Sequence, residues 1–415
     1  MNADTTRNAI QSPPPTPTPP QLDRRRLLLS GAGGLGALAV AGGVGWWARR
    51  GDVRGPRLWS SPDLGGRVVL GAGEGTGEAA GAQQGLFASG YDGSVRSLDP
   101  RTGAVRWSRV VGAAAPVNGS DGSDGLGGWQ LDNSGGWPLA SGDGVVCVVS
   151  TGGVHVLDAV SGEVRWEAPL PEWDESAWQQ EPVVGGGGVF TAYGTSLRCH
   201  DATSGALRWS SDPGVSGALA LAGDTVFAAA RYGGVLAFDA RGGERRWAQD
   251  AVAAVGDAPV VHRGVVHVRQ TDPGAASSTV FALDAATGRV LWQRGRLPVA
   301  GPLSVADQAV CLLSGGRLTA LDARTGDSLW TVEAPLGLGR GMSSMAAADG
   351  SVYVGTNDDR LFAFDLATGR PRWRDEPRRI REDGAYTRVF LAAAGSAVFR
   401  GSRTGLHALG ALPSA

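Results

Sequence analysis

The chain has 415 residues, of which 42% are hydrophobic, and a formal net charge of −2. It is therefore long enough to bury a large core, and it has no excess of positive charge that would favour nucleic-acid binding. The sequence contains no Lys, so every side-chain cation other than His is Arg. This excludes Schiff-base catalysis, a P-loop and the strand lysine of a protein kinase within this chain.

The N-terminal part contains two segments of unusual composition. Residues 1–22 include "SPPPTPTPP" and are predicted to be disordered. Residues 23–50 contain Arg24–Arg26, an uncharged stretch at Leu27–Ala48 and then two further arginines. This stretch is long enough to cross a bilayer, and "RRRLLL" resembles a twin-arginine export signal. Three interpretations stay open: an uncleaved membrane anchor, a cleaved export signal and a soluble cytoplasmic hairpin. The first two place the remaining chain outside the cytoplasm, at the cell membrane or exported.

From Pro56 to Gly410 the chain is built from internal repeats. Seven copies carry an Asp that opens a turn ending in Gly, such as "DARTG" and "DLATG", and a Trp eight residues after that Asp. The Asp accepts hydrogen bonds from the turn, and the Gly permits a positive φ. The seven pairs are Asp99–Trp107, Asp158–Trp166, Asp201–Trp209, Asp239–Trp247, Asp284–Trp292, Asp322–Trp330 and Asp365–Trp373.

Each repeat consists of short apolar runs of strand character without helical spacing, as in "GVLAFDA". Four short strands per repeat, with copies 38 to 59 residues apart, indicate one propeller blade per repeat. We expect the Trp of each blade to pack between neighbouring blades. The position two before the Asp is small in most copies, which suits close packing there.

An eighth copy is incomplete. The segment "LHALG" ends at Gly410, where the other copies have Asp. The strand "PRLWSS" at Pro56–Ser61 supplies the missing Trp, Trp59, from the N-terminal side of the repeats. We therefore predict an all-β, eight-bladed β-propeller of four-stranded antiparallel blades over residues 56–410. An N-terminal strand completes the last blade, which closes the ring and removes its exposed sheet edges.

The repeat resembles the PQQ-type (pyrroloquinoline quinone-like) β-propeller repeat of bacterial extracytoplasmic proteins, and this resemblance also implies eight blades. Quinoprotein dehydrogenases with this repeat use PQQ, Ca²⁺, a carboxylate base and commonly a disulfide between adjacent cysteines. Cys147, Cys199 and Cys311 are not adjacent, and we expect them to be buried free thiols. The repeat also occurs in an outer-membrane assembly scaffold and in sensory domains of bacterial Ser/Thr kinases.

The loops predict where binding occurs. The turns between strands one and two and between strands three and four are short and lie on one face. The long blade-to-blade connections lie on the other, which we call the loop-bearing face. Tryptophans concentrate in two of these connections, beside several carboxylates. We predict a binding patch for a protein, peptide or glycan there, with the covering of blade ends as the alternative role of these side chains. The patch comprises Trp129, Trp137, Trp173, Asp174 and Trp178.

Two weaker patterns are interpreted as structural. His262 and His267 bracket a hairpin without a third ligand, and "NGSDGSDGLGG" from Asn118 lacks the full carboxylate series of a Ca²⁺ loop. The sequence thus predicts a non-catalytic extracytoplasmic propeller that acts as a binding scaffold or sensory domain, with no cofactor expected. The alternative is a PQQ- and Ca²⁺-dependent quinoprotein dehydrogenase.

Overall fold

The computed structural model describes residues 54–70, 85–90, 92–112, 136–150, 152–170, 181–252, 258–271, 277–298, 300–314, 316–333, 344–376 and 389–410. These residues form 32 β-strands in eight antiparallel four-stranded sheets. The prediction of an all-β propeller with eight blades is confirmed. Among the residues described, no helix is long and apolar enough to span a membrane, and residues 1–22 and 23–50 lie outside them.

Blades 1 to 7 follow the chain, each with its first strand innermost and its fourth outermost. Blade 1 is β2 (Gly66–Leu70), β3 (Leu86–Gly90), β4 (Ser94–Leu98) and β5 (Val105–Val110). Blade 2 is β6 (Leu139–Gly142), β7 (Val145–Ser150), β8 (Gly153–Asp158) and β9 (Val164–Ala168). Blade 3 is β10 (Val183–Gly185), β11 (Gly188–Tyr193), β12 (Ser196–Asp201) and β13 (Leu207–Ser211). Blade 4 is β14 (Val215–Ala222), β15 (Thr225–Ala230), β16 (Val235–Asp239) and β17 (Arg245–Gln249).

The remaining blades follow the same order until the last. Blade 5 is β18 (Val260–His262), β19 (Val265–Thr271), β20 (Ser277–Asp284) and β21 (Val290–Pro298). Blade 6 is β22 (Ala300–Ala306), β23 (Ala309–Ser314), β24 (Arg317–Asp322) and β25 (Ser328–Glu333). Blade 7 is β26 (Ser344–Ala348), β27 (Ser351–Gly355), β28 (Leu361–Asp365) and β29 (Pro371–Asp375). Blade 8 is β30 (Phe390–Ala394), β31 (Ala397–Ser402), β32 (Gly405–Gly410) and the N-terminal β1 (Arg57–Ser61).

The innermost strands of successive blades contact one another around the ring, and β30 of blade 8 contacts β2 of blade 1. The core lies between blades: each apolar cluster combines side chains from adjacent sheets. Phe362 and Phe364 of blade 7, for example, pack with Trp330 of blade 6. A strand that is apolar on both faces is therefore covered on both faces.

The ring closes by strand pairing, as predicted. β1 pairs antiparallel with β32, with Trp59 opposite Ala408. The Gly410 N–H donates to the Pro56 carbonyl at 2.8 Å. The N-terminal segment therefore supplies the outer strand that the last repeat lacks.

A buried ionic cluster joins blades 7 and 8 at this closure. Arg400 of β31 is 1% exposed, and its Nη1 lies 3.1 Å from Asp375 of β29. Arg57 of β1 donates from Nη2 to both oxygens of Asp375, at 2.9 and 3.1 Å. Arg400 also donates to the Asp359 carbonyl at 2.9 Å, and Thr404 donates to the Asp359 carboxylate. Two arginines and two aspartates thus balance their charges where the N-terminal strand docks.

Candidate functional site: the inter-blade locks and the loop-bearing face

The Asp of each repeat organises its own turn. Asp99 Oδ1 accepts the N–H groups of Arg101 and Thr102 at 2.9 and 3.1 Å, and Oδ2 accepts Arg106 Nη2 at 2.8 Å. The hydrogen bond from Arg106 is the largest cause that lowers the pKa of Asp99. Hydrogen bonds to the charged form keep this carboxylate ionised as a turn-forming group.

The turn also receives the Trp of the preceding blade. Among the described residues seven tryptophans, which we call the lock tryptophans, take part: Trp59 of blade 8 and the repeat Trp of blades 1 to 6. The indole N–H of each donates to the carbonyl of the residue that follows the Asp of the next blade around the ring. The bonds are Trp59 to Pro100 (2.9 Å), Trp107 to Ala159 (3.1 Å), Trp166 to Ala202 (3.0 Å), Trp209 to Ala240 (3.1 Å), Trp247 to Ala285 (3.0 Å), Trp292 to Ala323 (3.0 Å) and Trp330 to Leu366 (2.9 Å). The turn and the Trp are therefore two halves of one lock between adjacent blades.

The Gly that ends each turn makes room for this ring. Gly326 has a φ of +74°, and a Cβ placed on it would lie 2.6 Å from Cε3 of Trp292. The same close approach recurs at the other turns, including Gly103 beneath Trp59. Glycine is needed here both for the backbone conformation and for the space. The repeat residues are thereby assigned to holding blades together.

The face on which ligands are expected is opposite these turns. Antiparallel order places the turns between second and third strands and the blade-to-blade connections on the loop-bearing face. Trp129, Trp173, Asp174 and Trp178 lie outside the described residues, so their role in a patch stays a prediction. The Asp-rich segment from Asn118 also lies outside them.

Trp137 is described, and it is buried. Its side chain is 0% exposed and packs between blades 1 and 2 with Phe87, Trp107 and Leu139. The Trp137 carbonyl accepts the Ser89 hydroxyl at 2.7 Å. An indole fully enclosed in this core packs the blade end and is not available to a partner, which is the alternative role named for these tryptophans.

An ion pair holds Glu181, the first described residue after the connection that carries Trp173 and Trp178. Glu181 Oε1, three residues after Trp178, lies 2.5 Å from Nη1 of Arg67 on the inner strand β2. The Arg67 side chain is 5% exposed and Glu181 is 65% exposed, and the guanidinium lies 4.7 Å from the centre of the Phe390 ring. This pair joins the entry to blade 3 with the inner strand of blade 1, spanning blade 2.

Tyr232 is a further aromatic group on the loop-bearing face that the sequence analysis did not single out. It lies in the turn between β15 and β16, is 92% exposed, and has the Arg231 guanidinium 6.0 Å from its ring centre. An aromatic residue before Gly233–Gly234 at a turn was the available signal. It shows that blade 4 also presents a side chain suited to recognition.

A chain of hydrogen bonds in blade 2 has the residue types of a hydrolase triad. Ser150 Oγ lies 2.8 Å from His155 Nε2, and His155 Nδ1 lies 2.8 Å from Glu167 Oε1. Ser150 is 0% exposed, whereas the Glu167 side chain is 59% exposed. A working triad presents its nucleophile to the substrate. Here the hydroxyl is enclosed, and the chain of bonds ties the outer three strands of the blade together.

A quinoprotein site requires a set of side chains that holds Ca²⁺. Among the described residues, no group of three or more His, Cys, Asp or Glu side chains is arranged to hold a metal ion. Cys147, Cys199 and Cys311 are buried free thiols on three different blades, as predicted, and burial raises the pKa of Cys199 to about 11. The described part of the chain therefore does not fit a Ca²⁺–quinone site with an adjacent-cysteine disulfide.

The fold and its repeated locks define a β-propeller of the PQQ type. The family model described as outer membrane protein assembly factor BamB matches residues 91–196, 193–333 and 275–403, and the chain belongs to this family. The crystal structure of BamB from Moraxella catarrhalis superposes with a TM-score of 0.59 at 18% identity, covering 86% of this chain and 98% of that one. A likeness at that identity shows the fold alone.

Curated relatives match over segments. The serine/threonine-protein kinase AfsK of Streptomyces griseus is 31% identical over 36% of this chain and 20% of its own length. BamB of Moranella endobia is 32% identical over 40% of this chain and 44% of its own length. A polyvinylalcohol dehydrogenase of Pseudomonas sp also matches, at 28% identity over 41% of this chain and 35% of its own length. The chain thus spans less than half the length of each of these three.

Proposed function

We propose that this chain is a non-catalytic extracytoplasmic propeller that binds a protein, peptide or glycan on its loop-bearing face, as a scaffold or a sensory domain. Residues 23–50 hold it at the membrane or direct its export. The single observation that carries this proposal is the ion pair between Glu181 and the buried Arg67. It holds the end of the connection that contains Trp173 and Trp178 against the inner strand of a different blade.

The two faces of the ring differ in a way that supports the same proposal. On the face with the tight turns, the repeat residues are engaged in locks between blades. The loop-bearing face has connections of unequal length and at least one fully presented aromatic side chain, Tyr232. A rigid ring that displays variable loops is a common arrangement for recognition. An outer membrane protein assembly factor and a protein kinase are among the relatives, and a binding propeller suits a role within either kind of protein.

The first experiment is capture of partners by the exported propeller from the proteins and glycans of its own cell envelope. Replacing both Trp173 and Trp178 by Ala is expected to abolish capture and to leave the melting temperature near that of the wild type. The matched control replaces Leu207 and Leu329 by Ala; these side chains are 56% and 43% exposed on the outer strands of blades 3 and 6. Loss of capture in the control, or unchanged capture in the Trp variant, would contradict the proposal.

The second experiment tests the anchoring pair. Glu181→Gln removes the charge that faces Arg67, and we expect capture to weaken about fivefold or more as the connection loses its fixed end. Glu163→Gln is the control, since Glu163 is an exposed carboxylate on the opposite face. Equal effects of the two variants would show that the pair is irrelevant to binding.

The enzymatic alternative has a direct test. PQQ and Ca²⁺ are added to the exported propeller, and the quinone absorbance and the reduction of an artificial electron acceptor by alcohols are followed. We expect neither a spectral shift nor dye reduction above the rate without protein. Dye reduction that requires both PQQ and Ca²⁺ would overturn the non-catalytic assignment.

A further inference from the structure

A surface cleft of about 200 Å³ lies between blades 5 and 6. Blade 5 contributes its outer strand β21, and blade 6 contributes its strands β23, β24 and β25. The Trp-bearing connections, in contrast, join blades 1, 2 and 3. Its lining is Arg294, Leu297, Leu312, Arg317, Thr319, Leu321, Ser328 and Thr331.

The cleft exists because one repeat position is unusually small in blade 6. Thr319 stands three residues before the Asp of its repeat, on the side of the blade that faces blade 5. In the other seven blades the same position carries a larger side chain: Arg96, His155, Arg198, Leu236, Phe281, Phe362 and His407. A side chain short by this much leaves a void in an otherwise close-packed contact.

The outer strand of blade 5 gives the cleft its second wall. β21 has nine residues, whereas the outer strands of the other blades have five or six. A register shift opposite Ser278 and Val280 and the positive φ of Arg296 (+61°) mark its extension. The added length places Arg294 and Leu297 beside blade 6.

Two cations and three hydroxyl groups line this space. Arg294 is exposed, and no hydrogen-bond or ion-pair partner for it lies among the described residues. Arg317 has Glu333 at 3.9 Å, at the outer limit of an ion pair, and its side chain is 57% exposed. The hydroxyls of Thr319 and Thr331 lie 3.1 Å apart. The cleft therefore offers more donors than its own residues use.

In blades 1 and 4 the residue equivalent to Arg294 donates a hydrogen bond to a turn carbonyl of the next blade. Arg109, also two residues after a lock Trp, donates from Nε to the Gly162 carbonyl of the next blade at 3.1 Å. Gln249 does the same to the Gly288 carbonyl at 2.8 Å. Among the described residues Arg294 makes no such bond to the corresponding Gly326, so its guanidinium is available to a ligand.

We propose that this cleft binds a small organic anion. Its carboxylate or phosphate is held by Arg294 and Arg317, with the threonine hydroxyls as additional donors, and its apolar part lies on Leu297, Leu312 and Leu321. Guanidinium groups pair with both kinds of anion through parallel N–H bonds. The volume corresponds to about six or seven water molecules at ~30 Å³ each, which suits a compact ligand.

The test uses benzoate and phenyl phosphate as probes, with inorganic phosphate and benzyl alcohol as the purely ionic and purely apolar comparisons. Binding to the exported propeller is measured by calorimetry at low ionic strength. We expect both aromatic anions to bind at least tenfold more tightly than benzyl alcohol and more tightly than inorganic phosphate. The stronger of the two aromatic probes identifies the anionic group that the cleft prefers. Equal binding of benzyl alcohol would overturn the role of the arginines.

Two substitutions in the cleft and one control outside it locate the site. Arg294→Gln is expected to weaken the aromatic anions about tenfold, and Arg109→Gln is expected to leave them unchanged. Thr319→Phe gives blade 6 the side chain that Phe281 and Phe362 have in blades 5 and 7, and it should abolish binding while leaving every charge in place. Thr319→Leu, the residue type of Leu236, serves if the Phe variant fails to fold. Equal weakening by Arg109→Gln, or unchanged binding in the filled cleft, would overturn the proposal.

Discussion

Gly326 of blade 6 packs against Trp292 of blade 5, and a substitution there has two separable costs: one from backbone strain and one from the contact with the ring. Replacing Gly326 by Ala puts a methyl group 2.6 Å from the Trp292 ring on a backbone with a φ of +74°. The left-handed conformation costs about 1–2 kcal/mol for a residue with a Cβ. The clash adds about 1–3 kcal/mol, since carbon atoms pack comfortably at about 3.5–4.0 Å. We expect Gly326→Ala to lower the free energy of unfolding by about 2–5 kcal/mol.

Gly264 is the matched control. Its φ is +76°, almost the same as that of Gly326, and nothing lies within 4 Å of a Cβ placed there. Gly264→Ala is therefore expected to cost about 1–2 kcal/mol, which is the backbone term alone. The difference between the two Ala variants measures the contact with the indole.

A double-mutant cycle measures the interaction between position 326 and the Trp292 ring. Trp292→Ala removes a large, partly buried ring and its hydrogen bond to the Ala323 carbonyl, at a cost of about 3–5 kcal/mol. In that background the methyl group at position 326 has space, so Gly326→Ala should cost only about as much as Gly264→Ala. The measurement is urea unfolding followed by far-ultraviolet circular dichroism. A Gly326→Ala cost that is the same with and without Trp292 would refute the lock.

Three further predictions follow from the closure and from the buried histidines. Asp375→Ala removes the closer carboxylate from the buried Arg400, leaving Asp359 at 3.5 Å, and should cost about 3–5 kcal/mol in urea unfolding. Asp375→Asn keeps an acceptor but removes the charge and should cost nearly as much, so a near-neutral Asn variant would contradict the ionic role. Removing residues 1–61 exposes the edge of β32 and should produce oligomers in size-exclusion chromatography, whereas removing residues 1–53 should leave a monodisperse propeller with an unchanged melting temperature. Burial lowers the pKa of His267 to about 4 and of His407 to about 3, from an ordinary 6.5. The unfolded chain then binds protons that the folded chain does not, so stability should fall as the pH drops from 6.5 towards 4, by about 1.4 kcal/mol per pH unit for each fully contributing group. His267→Phe should flatten that slope, and an unchanged slope would exclude His267 as a cause.

The blade count and the ring closure were predictable because each blade corresponds to one copy of the sequence repeat. Each copy carries a turn of fixed chemistry and a Trp at fixed spacing, and a blade cannot bury its faces alone. The partner of each Trp was less accessible to sequence reasoning. Since most copies contain both a turn and a Trp, the spacing does not show that the Trp of one blade enters the turn of the next.

Repeat alignment explains several residues that appear irregular when considered singly. The second-strand residue opposite the small position of each blade is Phe87 in blade 1 and Phe227 in blade 4, but His267 in blade 5. His267 packs against Trp292 with ring centres 5.9 Å apart, as Phe227 does against Trp247 at 5.8 Å. Cys147 and Cys311 occupy the same register in blades 2 and 6. These side chains are therefore core fillers, whatever chemistry their residue types suggest.

The loop-bearing face was the least predictable part, because its connections have no shared period to read. Trp137 illustrates the difficulty. By composition and position it resembles the other loop tryptophans, but it lies two residues before β6 and is enclosed between two blades. Exposure of an aromatic side chain near a strand end depends on tertiary packing, which neither local sequence nor propensity specifies.

The eighth blade shows why closure needed a different device. It has no Asp turn, and the Trp373 ring of blade 7 packs instead on Gly55, whose N–H donates to the Arg374 carbonyl at 2.9 Å. Among the described residues no acceptor for the Trp373 indole N–H takes the place of the turn carbonyl. Arg57 and Arg400 converge on Asp375 at this joint. A shift of β1 along β32 would separate these charges, and an unpaired buried charge costs far more free energy than a slightly misplaced apolar contact. The ion pairs therefore disfavour a shifted register more strongly than apolar packing does. We infer that the ion pairs set the register in which the N-terminal strand docks, the one strand of the ring that reaches its blade from the far end of the chain.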